Sequence, residues 1–294
     1  MFEISTEMVI RLISEQFPQW AGLDIRPVSR SGHDNRTFHL GGEMTVRLPS
    51  GQDYVPQIEK EAKWLPFLSR HLLLPISHPI AQGKPTPYYP FPWSINRYLK
   101  GEPLTEISVC DQSRIAEELA AFLRELQRIP TEGAPAAGAH NFYRGASPDV
   151  YGGQVEDSLR ELKSVLPADK IWEIWKQAIS SRWDKPSVWL HGDIAPGNLL
   201  VHNGGLCGVI DFGTMGVGDP ACDYAMAWTY FNGKSRKIFL QGLDSDAINR
   251  ARGWALWKAL LTYHAPDAPV ADNAQYTVRV IIEEYDAKMK ENVR

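Results

Sequence analysis

The sequence predicts an α+β protein, with short antiparallel strands at the amino-terminal end and a larger, mainly helical part behind them. Short β-prone runs broken by Gly, Asn and Asp crowd the first hundred residues, and helical spacing of apolar residues takes over beyond residue 110. One further pair of β-prone runs flanks Asn203-Gly204-Gly205. Strands alternate with period two, whereas a helix returns its apolar face every three or four residues.

Residues 7–17 put Val9, Leu12 or Ile13, and Phe17 on one helical face, with Ser5 or Thr6 as cap and Pro18 beyond the end. The stretches 25–31, 37–40 and 44–48 read as a three-strand meander, turning at 32–35 and at Gly41-Gly42. A helix over 57–71 aligns Ile58, Ala62, Leu65, Leu68 and Leu72, and Pro66 inside it predicts a kink or an early end. Glu61 falls within that stripe, whereas Glu59 points about 100° away from Ile58. A carboxylate in an apolar stripe is costly unless paired, which makes Glu61 the expected partner of a nearby cation. Residues 75–92 read as extended segments and turns, and 93–99 as a strand.

Beyond residue 110 the expected helices start at Asp111 or Ser113, running to Pro130, and then cover 153–166 and 168–182. Gly218-Asp219-Pro220 leads a helix over 221–231, with Asp219 as its cap. Three more helices fill 234–294; one, 245–264, is expected to bury Ala251, Trp254 or Ala255, and 258–261 on one face.

The chemistry lies between these helices, in His191-Gly192-Asp193-Ile194-Ala195-Pro196-Gly197-Asn198 and Val209-Ile210-Asp211-Phe212-Gly213. The Asn-Gly-Gly turn folds the intervening runs into a hairpin whose open end carries Asn198 and Asp211. One amide oxygen and one carboxylate suit Mg²⁺, a hard cation that completes its shell with water and phosphate. Asp193 precedes the hairpin on a loop that Pro196-Gly197 keeps from becoming a regular helix.

His-Gly-Asp-x4-Asn followed by Ile-Asp-Phe-Gly resembles the catalytic core of the aminoglycoside phosphotransferase and choline kinase-like family, relatives of protein kinases. The resemblance implies a protein-kinase-like two-lobe fold. A nucleotide lobe over 1–98 and a catalytic, acceptor-binding lobe over 99–294 would join at a hinge near 97–101. It implies Asp193 as catalytic base, and Asn198 and Asp211 as ligands of Mg²⁺ beside ATP or GTP. Gly32 and Asn35 in the first turn become candidates to lie over the phosphates, since glycine permits close backbone approach and turn amides can meet phosphate oxygens. Arg47 occupies the third-strand position where kinases carry lysine, with Glu61 as its partner; a guanidinium can fork onto phosphate and carboxylate together. Arg97, Tyr98 and Leu99 fall at the hinge, where backbone groups would hold the nucleobase. Asp267, Asp272, Glu283, Glu284 and Asp286 are candidates for the acceptor pocket, because aminoglycoside acceptors present ammonium groups. Asp219 and Asp223 read as structural supports.

Among hydroxyl acceptors, an aminoglycoside-like antibiotic stands ahead of choline, homoserine or a sugar, with a non-catalytic nucleotide-binding module as the reading of another class. The net charge of −4 offers no basic face for nucleic acid. Cys110, Cys207 and Cys222 are odd in number and widely spaced, which suggests neither a disulfide framework nor a CxxC metal site. No signal peptide or membrane span is recognisable in the sequence, so a cytoplasmic monomer or homodimer is expected. Gly233-Lys234-Ser235 lacks the upstream glycine and strand of a P-loop.

Overall fold

The computed structural model describes residues 4–28, 34–107 and 111–292. Gly32, in the first turn, lies outside them. The Ser5 hydroxyl accepts from the Met8 amide and starts α1 (Thr6–Gln16), whose buried stripe is Val9, Leu12 and Ile13. That stripe packs on Phe38, Leu40, Val46, Leu48, Trp93 and Ile95. These side chains come from β2 (Asn35–Leu40), β3 (Met44–Pro49) and β5 (Trp93–Arg97), which with β1 (Ile25–Pro27) and β4 (Pro79–Gly83) form an antiparallel sheet of order β1-β2-β3-β5-β4. Because strand residues alternate between faces, the opposite face carries Thr45 and Arg47 beside Asn96 and Ser94, their register partners.

Between β3 and β4 runs α2 (Val55–Leu68), with Pro56 in its first turn. It starts before the expected residue 57, because proline fits the first turn, and stops just past Pro66. Glu61 is buried within it and Glu59 is exposed, as the stripe requires.

Beyond β6 (Glu102–Pro103) come α3 (Gln112–Leu126), α4 (Gly152–Leu162), α5 (Ala168–Ile179), β7 (Val188–Leu190), β8 (Leu199–His202), β9 (Gly205–Val209), β10 (Gly216–Gly218), α6 (Met226–Thr229), α7 (Gly233–Phe239), α8 (Ser245–Leu261) and α9 (Ala268–Asn292). The chain divides into two compact units, Met1–Glu106 with Gly197–Gly213, and Ile107–Pro196 with Thr214–Arg294. In the first, β8 pairs with both β6 and β9, and the Val209 amide donates to Pro75 O at 3.0 Å, so the hairpin is tied to the segment ahead of β4.

The second unit is helical around α8, apart from the short ladder of β7 and β10. Two expectations need correction. The helix expected over 221–231 is a 3₁₀ turn, Pro220–Tyr224, followed by the short α6. Tertiary bonds made by Asp219 and Asp223 override the local helical pattern there. The one-sided burial expected of α8 also fails: Arg250 to Trp257 is a continuous buried run, because α4, α5, α6 and α9 all pack against this helix. A helix enclosed by neighbours has no single core face. At Gly253 an added Cβ would sit 2.6 Å from the Ala178 Cβ, so glycine lets α8 and α5 approach. Among the described residues no helix is long and apolar enough to cross a membrane.

Candidate active site

The hairpin of the first unit is built by its turn. Asn203 and Gly204 have φ of 51° and 73°, both positive as a type I′ turn demands, and His202 pairs with Gly205. The ladder then sets the far end: Leu199 faces Val209, and the Ile210 amide donates to Asn198 O at 3.0 Å. Asn198 and Asp211 therefore come together at the open end. Asp211 is left-handed at φ 64°, a strained state for a residue with a side chain, and its carboxylate is 53% exposed. Gly213 is crowded by Gln57, whose Oε1 would lie 3.0 Å from an added Cβ.

Arg47 reaches the same place from β3. Its Nη1 donates to Glu61 Oε2 at 2.8 Å, and its Nη2 stands 3.6 Å from Asp211 Oδ1. Burial pushes the Glu61 carboxyl up from its ordinary value, an effect that Arg47 opposes. Burial alone would lower the Arg47 guanidinium, but Glu61 and then Asp211 hold it raised and charged. Gln57 Nε2 donates to Asp34 Oδ2 at 3.2 Å, and the Ser50 amide donates to Asp34 O at 2.9 Å, pinning the residue ahead of Asn35. Asn35 itself opens β2 opposite Pro49 and is buried.

At the end of β5 the Arg97 amide donates to His78 O at 3.1 Å and the Tyr98 amide to Glu43 O at 2.9 Å. Both are engaged in the sheet, so neither remains to donate to a nucleobase.

Asp193 belongs to the second unit. It follows β7 in the sequence His191-Gly192-Asp193 and is exposed. The two amides ahead of it are held by one buried carboxylate: Asp223 Oδ2 accepts from His191 N at 2.8 Å and Oδ1 from Gly192 N at 2.7 Å. Burial raises the Asp223 carboxyl; His191 and these two amides draw it back. Gly192 has φ 86°, and an added Cβ would meet Thr214 O at 2.5 Å, so glycine is required there on both counts. Asp219 accepts from Ala221 N and from Arg250 Nε at 2.7 Å, which makes it a structural anchor.

Three of the acids considered for an acceptor have partners inside the unit. Glu284 accepts from Trp228 Nε1 at 2.6 Å, Asp286 pairs with Lys170 at 2.8 Å, and Asp267 accepts from Val270 N at 3.1 Å. Sequence reasoning did not single out Gln57, or Arg144, whose Nε donates to Gly192 O. No local pattern marks either one; each matters for a contact far along the chain.

A family model described as the phosphotransferase enzyme family matches residues 24–260. The chain belongs to the phosphotransferase enzyme family. Within it, an aminoglycoside 3'-phosphotransferase of Escherichia coli is 29% identical over 143 residues, 46% of this chain and 52% of that protein. The match thus spans about half the length of that relative. A GDP complex of wild-type aminoglycoside 2'-phosphotransferase-IIIa superposes with a TM-score of 0.71 at 19% identity, covering 96% of this chain and all of that one. The macrolide 2'-phosphotransferase MphH from Brachybacterium faecium, solved as the apoenzyme, gives a TM-score of 0.61 at 20% identity over 92% and 97%. These likenesses establish the protein-kinase-like fold of the phosphotransferase family for this chain: an antiparallel-sheet lobe and a mainly helical lobe.

Proposed function

We propose that this protein is a small-molecule O-phosphotransferase, moving the γ-phosphoryl group of ATP or GTP onto an acceptor hydroxyl. The observation that carries this reading is the convergence of Arg47, Glu61 and Asp211 at the open end of the β8–β9 hairpin, at 2.8 and 3.6 Å. A phosphate-binding fork and a carboxylate suited to a metal are what phosphoryl transfer needs in one place.

In this mechanism Asp193 accepts the proton of the acceptor hydroxyl, whose oxygen bonds to the γ-phosphorus. The bond to the β,γ-bridging oxygen breaks and the nucleoside diphosphate leaves. Arg47, oriented by Glu61, binds nucleotide phosphate oxygens. Asn198 and Asp211 supply hard oxygen donors at one hairpin end, a set that fits Mg²⁺, which when bound would neutralise phosphate charge. The turn that carries Gly32 and Asn35 is the candidate to meet the phosphates, and the backbone around Arg97, Tyr98 and Leu99 is the candidate hinge between a nucleotide lobe (1–98) and an acceptor lobe (99–294). The base meets carbonyl groups of that hinge or the amide of Leu99.

Antibiotic acceptors of the aminoglycoside type lead, in keeping with the family relatives. An acceptor with few or no ammonium groups, such as a macrolide or a sugar, is the second reading. It is favoured by the engagement of Glu284, Asp286 and Asp267, which withdraws three of the carboxylates an ammonium-rich acceptor would use. A nucleotide-consumption screen over aminoglycosides, macrolides, choline, homoserine and sugars decides between them. Asp193→Asn is expected to cut acceptor-dependent turnover to a small residual rate while nucleotide still binds. Unchanged turnover in that variant, or no response to any acceptor, would remove the reading in favour of a nucleotide-binding module.

A further inference from the structure

The peptide plane joining Gly192 to Asp193 is gripped at both ends. Its N–H donates to His191 Nδ1 at 3.2 Å, and its carbonyl, Gly192 O, accepts from Arg144 Nε at 3.0 Å. A peptide unit is rigid and planar, so fixing both of its polar ends fixes the torsions on either side. One of those is φ of Asp193, which sets the direction in which the Asp193 side chain leaves the backbone.

Arg144 is itself held with unusual care. Its guanidinium carbon lies 4.8 Å from the centre of the Trp254 ring and 4.9 Å from that of Trp257. Tyr151 stacks on Trp257 at 4.0 Å and donates to Phe142 O at 2.9 Å. Phe142 and Tyr143, just ahead of Arg144, are both left-handed at φ 51° and 56°. Buried Asn141 clamps that bend, accepting from Gly138 N at 3.0 Å and donating to Arg144 O at 2.8 Å.

This arrangement is poor for stability alone. Among the described residues no carboxylate lies within ion-pair distance of Arg144, and its Nη1 is buried without a hydrogen-bond partner. A half-buried cation that makes no ion pair gains no Coulomb attraction, and two ring faces offset only part of what its buried Nη1 loses in hydration. An apolar side chain of similar length would fill the same space without the penalty. What it would lack is the N–H on Gly192 O.

We propose that Arg144 is a positioning residue for Asp193, setting the plane of the Gly192–Asp193 peptide and so the aim of the base. This rests on Asp193 being the base, and the experiment separates the two claims. The full-length chain is assayed with its best acceptor as wild type, Arg144→Met, Arg144→Lys, Asp193→Asn and the double variant Arg144→Met/Asp193→Asn. Arg144→Met is expected to lower kcat about 100-fold, the scale of a small misplacement of a reacting group, while the nucleotide KM stays within about twofold. Arg144→Lys keeps one donor but not the planar stack, and is expected to recover about tenfold of the loss. In the Asp193→Asn background Arg144→Met is expected to cost nothing further, since a residue acting through the base has no effect once the base is gone.

An unchanged kcat in Arg144→Met overturns the proposal. So does an equal fractional loss in both backgrounds, which is what a general structural defect would give. If Arg144→Met does not fold, Arg144→Lys decides: lowered kcat at a wild-type unfolding temperature supports the proposal, and wild-type kcat overturns it. A wild-type chain that phosphorylates no acceptor, or an Asp193→Asn variant at full rate, instead removes the proposed function itself.

Discussion

The Glu61 carboxylate, 1% exposed, accepts from Arg47 Nη1 at 2.8 Å across fourteen residues of chain. A pair this buried is strongly coupled to the fold, because removing one partner leaves an uncompensated charge.

Glu61→Ala is therefore expected to destabilise the protein by about 3 kcal/mol or more and to weaken nucleotide binding at least about tenfold. Replacing both members, Arg47→Met with Glu61→Leu, should restore much of the stability without restoring binding. Thermal unfolding and calorimetric titration with Mg·ATP measure the two effects. The carboxyl of Glu61 is raised by burial, so its linkage term favours the folded state below the ordinary glutamate value and is lost as pH rises through the raised value. Acidification should thus release Arg47 and weaken nucleotide binding without a stability loss arising from this group.

Chelation of divalent cations is expected to stop transfer, and added Mg²⁺ to restore it. Asp211→Asn and Asn198→Ala should each raise the Mg²⁺ concentration needed for half-maximal rate, by tenfold or more for the carboxylate, whose loss removes a full charge from a hard-cation site, about 1.4 kcal/mol or more. A magnesium titration of initial rate checks this. Equal requirements in wild type and Asp211→Asn would discard the assignment.

Asp223→Ala deprives the His191 and Gly192 amides of their shared acceptor. Hydrogen bonds to a charged group contribute about 1.5–3 kcal/mol each, so a loss of roughly 3 kcal/mol is expected, together with a fall in kcat. Hydrogen exchange at the two amides, measured in a variant still folded at low temperature, should rise sharply. Retained protection would mean that the carboxylate is not their support.

Asp244 caps α8 by accepting from Ala247 N at 2.7 Å, and this bond, followed by Lys185, holds its carboxyl below the ordinary value. Asp244→Ala is expected to cost about 1 kcal/mol at neutral pH. A depressed carboxyl stabilises above its unfolded value and loses that contribution as pH falls through the folded one. The gap between wild type and variant should therefore close below about pH 4. A constant gap across that range would exclude the cap as its source.

Much of the site was legible because its signals are local. The Asn203-Gly204 turn needs positive φ twice, and the pairing that follows brings Asn198 to Asp211 without help from the rest of the chain. Glu61 was legible for a similar reason: helical spacing placed a carboxylate in an apolar stripe, and its burial demanded a cation. The amphipathic helices α1 and α3 followed from period, and β2, β3 and β5 from β-prone runs between turn residues, whereas β4 lay in a stretch that read only as extended segments and turns.

What the sequence determined by itself, then, is whatever depends on residues within a few positions of one another: turns, caps, stripes and the hairpin that carries two of the functional oxygens. Only the tertiary structure decided that α8 is buried continuously from Arg250 to Trp257, that residues 220–229 break into two short turns, and that Arg144 holds Gly192 O from 48 residues away. Those outcomes depend on which distant surfaces compete for the same backbone groups. Buried amides and carbonyls must find partners, and the partner that wins is chosen by packing, which no short window of sequence contains.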